Sequence, residues 1–399
     1  MRDESPRARF ARYRAAIGQE ALPCALVDLE AFDDNLDRLL SPVRAHGKTL
    51  RPATKSIRVP ALLRRVLERG GAAVRGLMTY GAAETLFLAE QGFDDLLLAY
   101  PTVQRAGVDA LAAAGKRTPV RMVCDCPEHL EALDAAGARA GVVLGAVIEV
   151  DLSLRPVESV HLGVRRSPLR TAGDVVALAE QVRRFANLRF AGVMGYEAHV
   201  AGVGDRGSPL KRAMKLAARV ALERTRADID RALRAAGHAI ELFNGGGTGS
   251  IEWSARESVL TEVTAGSGLL DGHLFDHYVD VPLRPAAHFA LQVVRRPAPG
   301  IVTCAGGGYI ASGAAGSDRL PIPALPEGAR LLPLEGAGEV QTPLRLPPGA
   351  DVSLGDPVFF RHAKAGELAE HFRDYLLVQG DIVVQRVPTY RGLGQCFLG

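Results

Sequence analysis

Leu50-Arg51-Pro52-Ala53-Thr54-Lys55-Ser56-Ile57-Arg58 is a short extended stretch with a lysine at its centre. Pro52 biases Arg51 away from helix. Thr54 and Ile57 suit a strand better than a helix. The flanks are helical. Upstream, Leu29 to Ala45 places Phe32, Leu36, Leu39 and Leu40 near helical spacing, and downstream Val59 to Arg69 ends at Gly70-Gly71, a C-terminal stop. The stretch therefore reads as one strand between two helices.

That unit repeats in both directions. Upstream, Cys24 to Leu29 is a compact apolar run. Downstream, strand-like Gly76–Thr79, Asp95–Ala99, Val120–Cys124, Ala146–Val150 and Phe190–Met194 alternate with helical Ala82–Gln91, Thr102–Ala114, Pro127–Ala136, Ala172–Phe185 and Leu210–Ala236. Ile240–Phe243 then runs into Asn244-Gly-Gly-Gly-Thr-Gly-Ser250. Counting Cys24 to Leu29 as the first strand gives about eight units with short connections, which predicts a (β/α)8 barrel over 24–282. A doubly wound open sheet is the alternative, lowered by the lack of a Gly-x-Gly-x-x-Gly turn after the first strand. Past Leu283, short strand-like runs separated by Pro and Gly (Val293-Val294, Ile301–Thr303, Leu331-Leu332, Val352–Leu354, Pro357–Phe360, Tyr375–Val378, Asp381–Gln385) predict an all-β domain over 283–399. Residues 1–23 form an N-terminal segment, helical from Arg7 to Glu20, expected to pack on that domain.

Composition narrows the function classes. Of 399 residues, 47% are apolar and 23% charged, the balance of a soluble globular protein, and the length suits two domains. A net charge of +3 with scattered arginines and no basic tail argues against a nucleic-acid partner. No apolar run is long enough to span a membrane. The charged Met1-Arg2-Asp3-Glu4 start leads into no apolar core, so it does not read as a signal peptide. Five cysteines without a Cys-x-x-Cys pair, and a Cys124-x-Cys126 spacing too tight for a zinc knuckle, fit a reducing cytoplasm.

In such a barrel, chemistry sits at the C-terminal strand ends. These carry Lys55, Tyr80, Asp125, Asp151, Tyr196 to His199, and the 244–250 loop. A desolvated lysine at a strand end can form a Schiff base with a carbonyl. The glycine-rich loop, read as following the last strand, suits a phosphate, which its N–H groups and hydroxyls would receive. Lysine plus phosphate cradle suggests pyridoxal phosphate.

The arrangement resembles the fold-type III pyridoxal-phosphate enzymes, an alanine-racemase-like barrel followed by a β domain. Arg51-Pro52-x-x-Lys55 resembles the Arg-Pro-His-x-Lys box of the D-threonine aldolase and D-serine dehydratase family. Tyr196-Glu-Ala-His199 resembles its Tyr-x-Gly-His segment, and Asp151 with Arg166-Ser-Pro-Leu169 loosely matches its acidic strand and following turn. The resemblance implies that Lys55 holds pyridoxal 5'-phosphate and acts as a base, with Arg166 (or the adjacent Arg165) near the ring and Tyr196 near the pyridine nitrogen. It further implies that Gly246, Gly247, Thr248 and Ser250 hold the phosphate, and that His199 and His362 are catalytic candidates. Tyr309 is the candidate second base, within reach of a partner's site in a homodimer.

Two departures stand out. Ala53 and Ile57 replace the family's histidines around the lysine. The family's β domain also carries a His-x-Cys or His-x-Asp pair that binds a divalent metal. The corresponding stretch here is Arg361-His362-Ala363-Lys364-Ala365-Gly366-Glu367. An ammonium cannot ligate a cation, and only Glu367 and Cys396 remain as replacement donors. The expectation is no metal centre, with Lys364 taking over the metal's electrostatic task and His362 near the leaving hydroxyl or the substrate carboxylate. The implied activity is retro-aldol cleavage or dehydration and deamination of a small D-β-hydroxy amino acid. Racemisation or epimerisation is the alternative, and a non-catalytic cofactor carrier is disfavoured by the second domain.

Overall fold

The computed structural model describes residues 4–155, 157 and 159–398. The first three residues of the N-terminal segment and the last residue of the β domain lie outside this set. Eight parallel strands form the barrel: Thr49–Pro52, Leu77–Thr79, Leu96–Leu98, Val120–Cys124, Leu144–Glu149, Leu188–Met194, Leu242–Gly245 and Glu262–Ala265. They are called barrel strands 1 to 8 below. Strand 1 pairs with strand 8, and each later strand with its predecessor down to strand 2. Single bridges from Leu50 to Val74 and from Ala53 to Met78 close the ring.

One expected strand lies elsewhere. Cys24–Asp28 is not in the barrel. It pairs antiparallel with Ala287–Ala290 and parallel with Leu376–Val378, inside the second sheet. Barrel strand 8 is instead Glu262–Ala265, so the glycine-rich loop follows strand 7 rather than the last strand. An apolar run such as Cys-Ala-Leu-Val-Asp has every residue buried in either location, and only its pairing partners distinguish them. Barrel strand 8 escaped notice because it is short and begins with Glu262, whose carboxylate takes the Arg51 guanidinium in a two-pronged bond at 2.7 and 2.9 Å. Arg51 also donates to the Asp95 carbonyl at 2.7 Å, and Asn244 to Glu262 and Thr264 at 2.8 Å each. The arginine of the Arg-Pro box is thus a barrel-interior ion pair. Removal of either partner would strand a buried charge.

The second sheet is built mainly of antiparallel strands, including Ala287–Ala298, Ile301–Ala305, Gln341–Arg345, Pro357–Arg361, Asp374–Gln379 and Ile382–Pro388. Val352–Leu354 is a turn region, where Ser353 N–H donates to Asp356 at 2.7 Å. Helix Pro6–Ala16 lies on this sheet. Phe10 and Tyr13 meet Phe359 edge-on at 6.0 and 5.6 Å, and Arg12 and Tyr13 both bond Asp28. The chain therefore enters through the β domain, winds the barrel and returns. Among the described residues, no helix is long and apolar enough to cross a membrane.

Candidate active site

Thr54–Ser56 forms a single 3-10 turn directly after barrel strand 1. From Leu50 to Pro60 every residue is buried except Lys55. The turn thus directs one side chain outward, into a cavity of about 570 Å³ at the C-terminal mouth of the barrel. Lys55 Nζ donates to Tyr100 Oη at 2.6 Å. Burial raises the pKa of the Tyr100 phenol, but the Lys55 ammonium, that hydrogen bond and Arg166 outweigh it, so it lies below its ordinary value. Tyr100 follows barrel strand 3 and was missed by the sequence reading. The strand-end rule applied to Asp95–Ala99 would have found it.

Arg166 sits in the long connection after barrel strand 5. Its guanidinium lies 5.5 Å from the centre of the Tyr100 ring and 5.3 Å from that of Tyr196. It lines the cavity; the neighbouring Arg165 does not. Tyr196 lines it too, its phenol pushed by burial up to about 12. Behind this group, Glu149 ends barrel strand 5. Burial pushes its carboxyl up to about 7 against the pull of Arg166.

Gly246, Gly247 and Thr248 line the cavity after barrel strand 7, joined by Gly266 and Ser267 after strand 8. Paired turns in this position are where barrels of this class take phosphate. A Cβ on Gly247 would fall 2.8 Å from that of Ala201, so only glycine lets the backbone face the cavity here. Gly268 N–H donates to Thr248 Oγ1 at 3.0 Å, linking the two turns. Ser250 does not line the cavity. Its hydroxyl donates to Glu197 at 2.9 Å and accepts from Gly247 N–H at 3.1 Å. Glu197 also accepts from Gly246 N–H at 3.1 Å and Ser254 at 2.7 Å, and pairs with the fully buried Arg226. Burial raises this carboxyl, but Arg226 and the hydrogen bonds prevail and hold it below its ordinary range. Glu197 is the post on which the glycine turn is built, a role its place inside Tyr196-Glu-Ala-His199 did not reveal.

The β domain closes the other side of the cavity with Ser312, Arg319, Lys364 and Glu367. Gly366 has φ +90° and packs so tightly on the lysine turn that a Cβ would fall 1.9 Å from the Lys55 carbonyl oxygen. Three expected catalytic residues do not line the cavity. His199 is buried with neither ring nitrogen hydrogen-bonded. His362 is likewise buried and unbonded, and burial beside Arg361 and His273 pushes it down to about 3. Tyr309, half-buried against the β-domain core, stacks on His371 at 4.6 Å and meets Phe289 and Phe372 at 5.1 and 5.4 Å; its expected place is in a partner's site, not this cavity. The direction of each side chain, not its residue type, decides these cases. Away from the lysine, Asp125, Cys126 and His129 bring potential ligand atoms within 4.8 Å of one another after barrel strand 4, where His129 Nδ1 is already 3.0 Å from Asp125.

Several known proteins are similar to this chain in sequence or fold. A D-threonine aldolase of Arthrobacter sp. is 27% identical over 283 residues, 69% of this chain and 69% of that protein. A 3-hydroxy-D-aspartate aldolase of Paracoccus denitrificans is 28% identical over 249 residues, 61% of this chain but only 59% of that protein. Among solved structures, a D-threonine aldolase from Filomicrobium marinum superposes with a TM-score of 0.80 at 22% identity, covering 93% of this chain and 95% of that one. A D-threo-3-hydroxyaspartate dehydratase from Delftia sp. HT23 gives 0.73 at 20% identity, covering 94% and 98%. The family described as alanine racemase, N-terminal domain, matches residues 27–272. That stretch takes in all eight barrel strands, the lysine turn and both phosphate-side turns, and the chain belongs to the alanine racemase N-terminal domain family.

Proposed function

We propose that this protein is a pyridoxal-phosphate-dependent lyase that cleaves or dehydrates a D-β-hydroxy amino acid. The observation that carries the reading is Lys55: one exposed ammonium in a buried run, hydrogen-bonded at 2.6 Å to Tyr100 and facing a cavity that also meets the glycine turn. The relatives named above point to the same substrate class.

The residues fit this cofactor. Gly246, Gly247 and Thr248 would hold the phosphate, the absent Cβ of Gly247 leaving the backbone open. Arg166 and Tyr196 would flank the ring. Ser250 supports the phosphate turn through Glu197 and is not itself a ligand. When bound, pyridoxal phosphate supplies an aldehyde for amines and an electron sink for charge developing at the substrate Cα.

The chain's own groups do the rest. Tyr100 Oη accepts from Lys55 Nζ and so orients it toward the cavity. Lys55 is then the group placed to take or return a proton at Cα. Arg166 holds positive charge between the two tyrosine rings. Lys364 brings a second cation from the β domain where the family expects a metal ligand. The two domains together wall the cavity.

The test is a panel of D- and L-β-hydroxy amino acids incubated with the cofactor-loaded protein, assayed together for aldehyde, keto acid and Cα inversion. The reading predicts aldehyde or keto acid from D-substrates. Inversion alone, with carbon and hydroxyl retained, would replace it with racemisation.

A further inference from the structure

Five cationic side chains line the cavity: Lys55, Arg58, Arg166, Arg319 and Lys364. Three have evident employment. Lys55 is bonded to Tyr100, Arg58 is paired with Glu370 and donates to the Lys55 carbonyl at 3.0 Å, and Arg166 lies between two rings. Arg319 and Lys364 do not.

Both sit beside one exposed turn of the β domain, Ser312-Gly313. Lys364 Nζ donates to the Ser312 carbonyl at 3.2 Å and to its hydroxyl at 3.4 Å. No carboxylate of the described residues forms an ion pair with it within 4.0 Å. Arg319 runs along Gly313, where a Cβ would stand 3.2 Å from its Nε, and its carbonyl accepts from Ala311 N–H at 2.9 Å. Its ion-pair partner is Asp318 at 3.7 Å, a carboxylate itself 52% exposed, and Arg319 Nε is buried without a protein acceptor. Glu367 is the carboxylate on this wall, and both its oxygens accept from Ser312 N–H at 3.0 and 3.1 Å. The wall is therefore two cations, the tied-back Glu367 and the outward-facing Asp318 around a single backbone turn. Lys364, with no carboxylate partner among the described residues, and the unsatisfied Arg319 Nε are the groups left to meet a further anion.

We infer that Arg319 and Lys364 form the binding site for the α-carboxylate of the substrate. The guanidinium fork matches a carboxylate in two prongs, and the ammonium adds a point charge. The loop that carries Lys364 packs Gly366 onto the Lys55 carbonyl, so the two cations share one cavity with the lysine that meets the substrate amine, and the carboxylate nearest that amine is the α-carboxylate. Glu367 holds the Ser312 turn in place and so acts as a positioning residue. This inference rests on the amino-acid reading given above.

The experiment uses the cofactor-loaded protein and sodium 3-hydroxybutyrate, a hydroxy acid with no amine to react, titrated by calorimetry. Wild type is expected to bind it. Lys364→Gln and Arg319→Gln should each weaken binding at least tenfold and raise KM for the amino acid similarly, with the visible cofactor band unchanged. Lys364→Arg, which keeps the charge, should retain most of the affinity and shows that the site still folds. Equal affinity in wild type and both neutral variants, or no binding to wild type, overturns the inference. Neither result touches the cofactor band, so failure here and failure of the pyridoxal-phosphate reading are told apart.

Discussion

Lys55 is exposed among buried neighbours because a 3-10 turn follows directly on a strand whose other residues pack into the barrel. The lysine was legible in the sequence for that reason: a strand end followed by a helix leaves few directions for a side chain. Tyr100 obeys the same rule. Ser250, His199 and His362 carry suitable chemistry but face Glu197 or the protein interior, and residue type alone does not encode a direction. Beneath the lysine turn lies another buried acid. Glu84 accepts from Tyr80 N–H at 2.7 Å and from Tyr390 Oη at 2.8 Å, and burial pushes it from 4.5 up to about 7. The folded protein keeps this proton to about pH 7, whereas the unfolded chain releases it near its ordinary value. The resulting stability is fully present below about pH 4.5 and is lost as pH rises through 7, a change of about 3 kcal/mol. Urea unfolding of Glu84→Gln at pH 5 and pH 8 should therefore show a smaller loss between the two than wild type. An identical loss would show that Glu84 is ionised throughout.

At the scale of elements, the glycine turn after barrel strand 7 is held from behind. Gly246, Ser250 and Ser254 all converge on Glu197, which Arg226 neutralises. The loop's glycine content marks it in the sequence, but its support comes from residues about fifty positions earlier and from the middle of helix Pro209–Ala235. That dependence is invisible without the fold. Breaking one arm of a buried ion pair is costly, even though Arg226 keeps Glu257 as its second partner. Glu197→Gln keeps the shape and removes the charge. It is expected to lower stability by about 3 kcal/mol and to speed loss of the cofactor on dialysis. Unchanged unfolding and unchanged retention would mean that the turn stands without this post.

The whole molecule joins two sheets through one chain that visits the second sheet first. Strand-helix alternation is readable where a barrel strand is a short apolar run with a helix behind it, as at strands 3, 4 and 5. The assignment of Cys24–Asp28 was not, because its apolar pattern is satisfied equally by a barrel and by the sheet it occupies between Ala287–Ala290 and Leu376–Val378. The error moved the count by one strand at each end and left the lysine in place. Domain closure then makes the site. Gly366 meets the lysine turn, and Lys364, Arg319 and Glu367 complete the wall. We propose that this junction is built around a cofactor anchored at Lys55. Borohydride reduction of the protein loaded with pyridoxal phosphate, followed by peptide mapping, tests it directly. A pyridoxyl group is expected on the peptide containing Lys55 and none on that peptide in Lys55→Ala. Labelling of another lysine, or none, would contradict it.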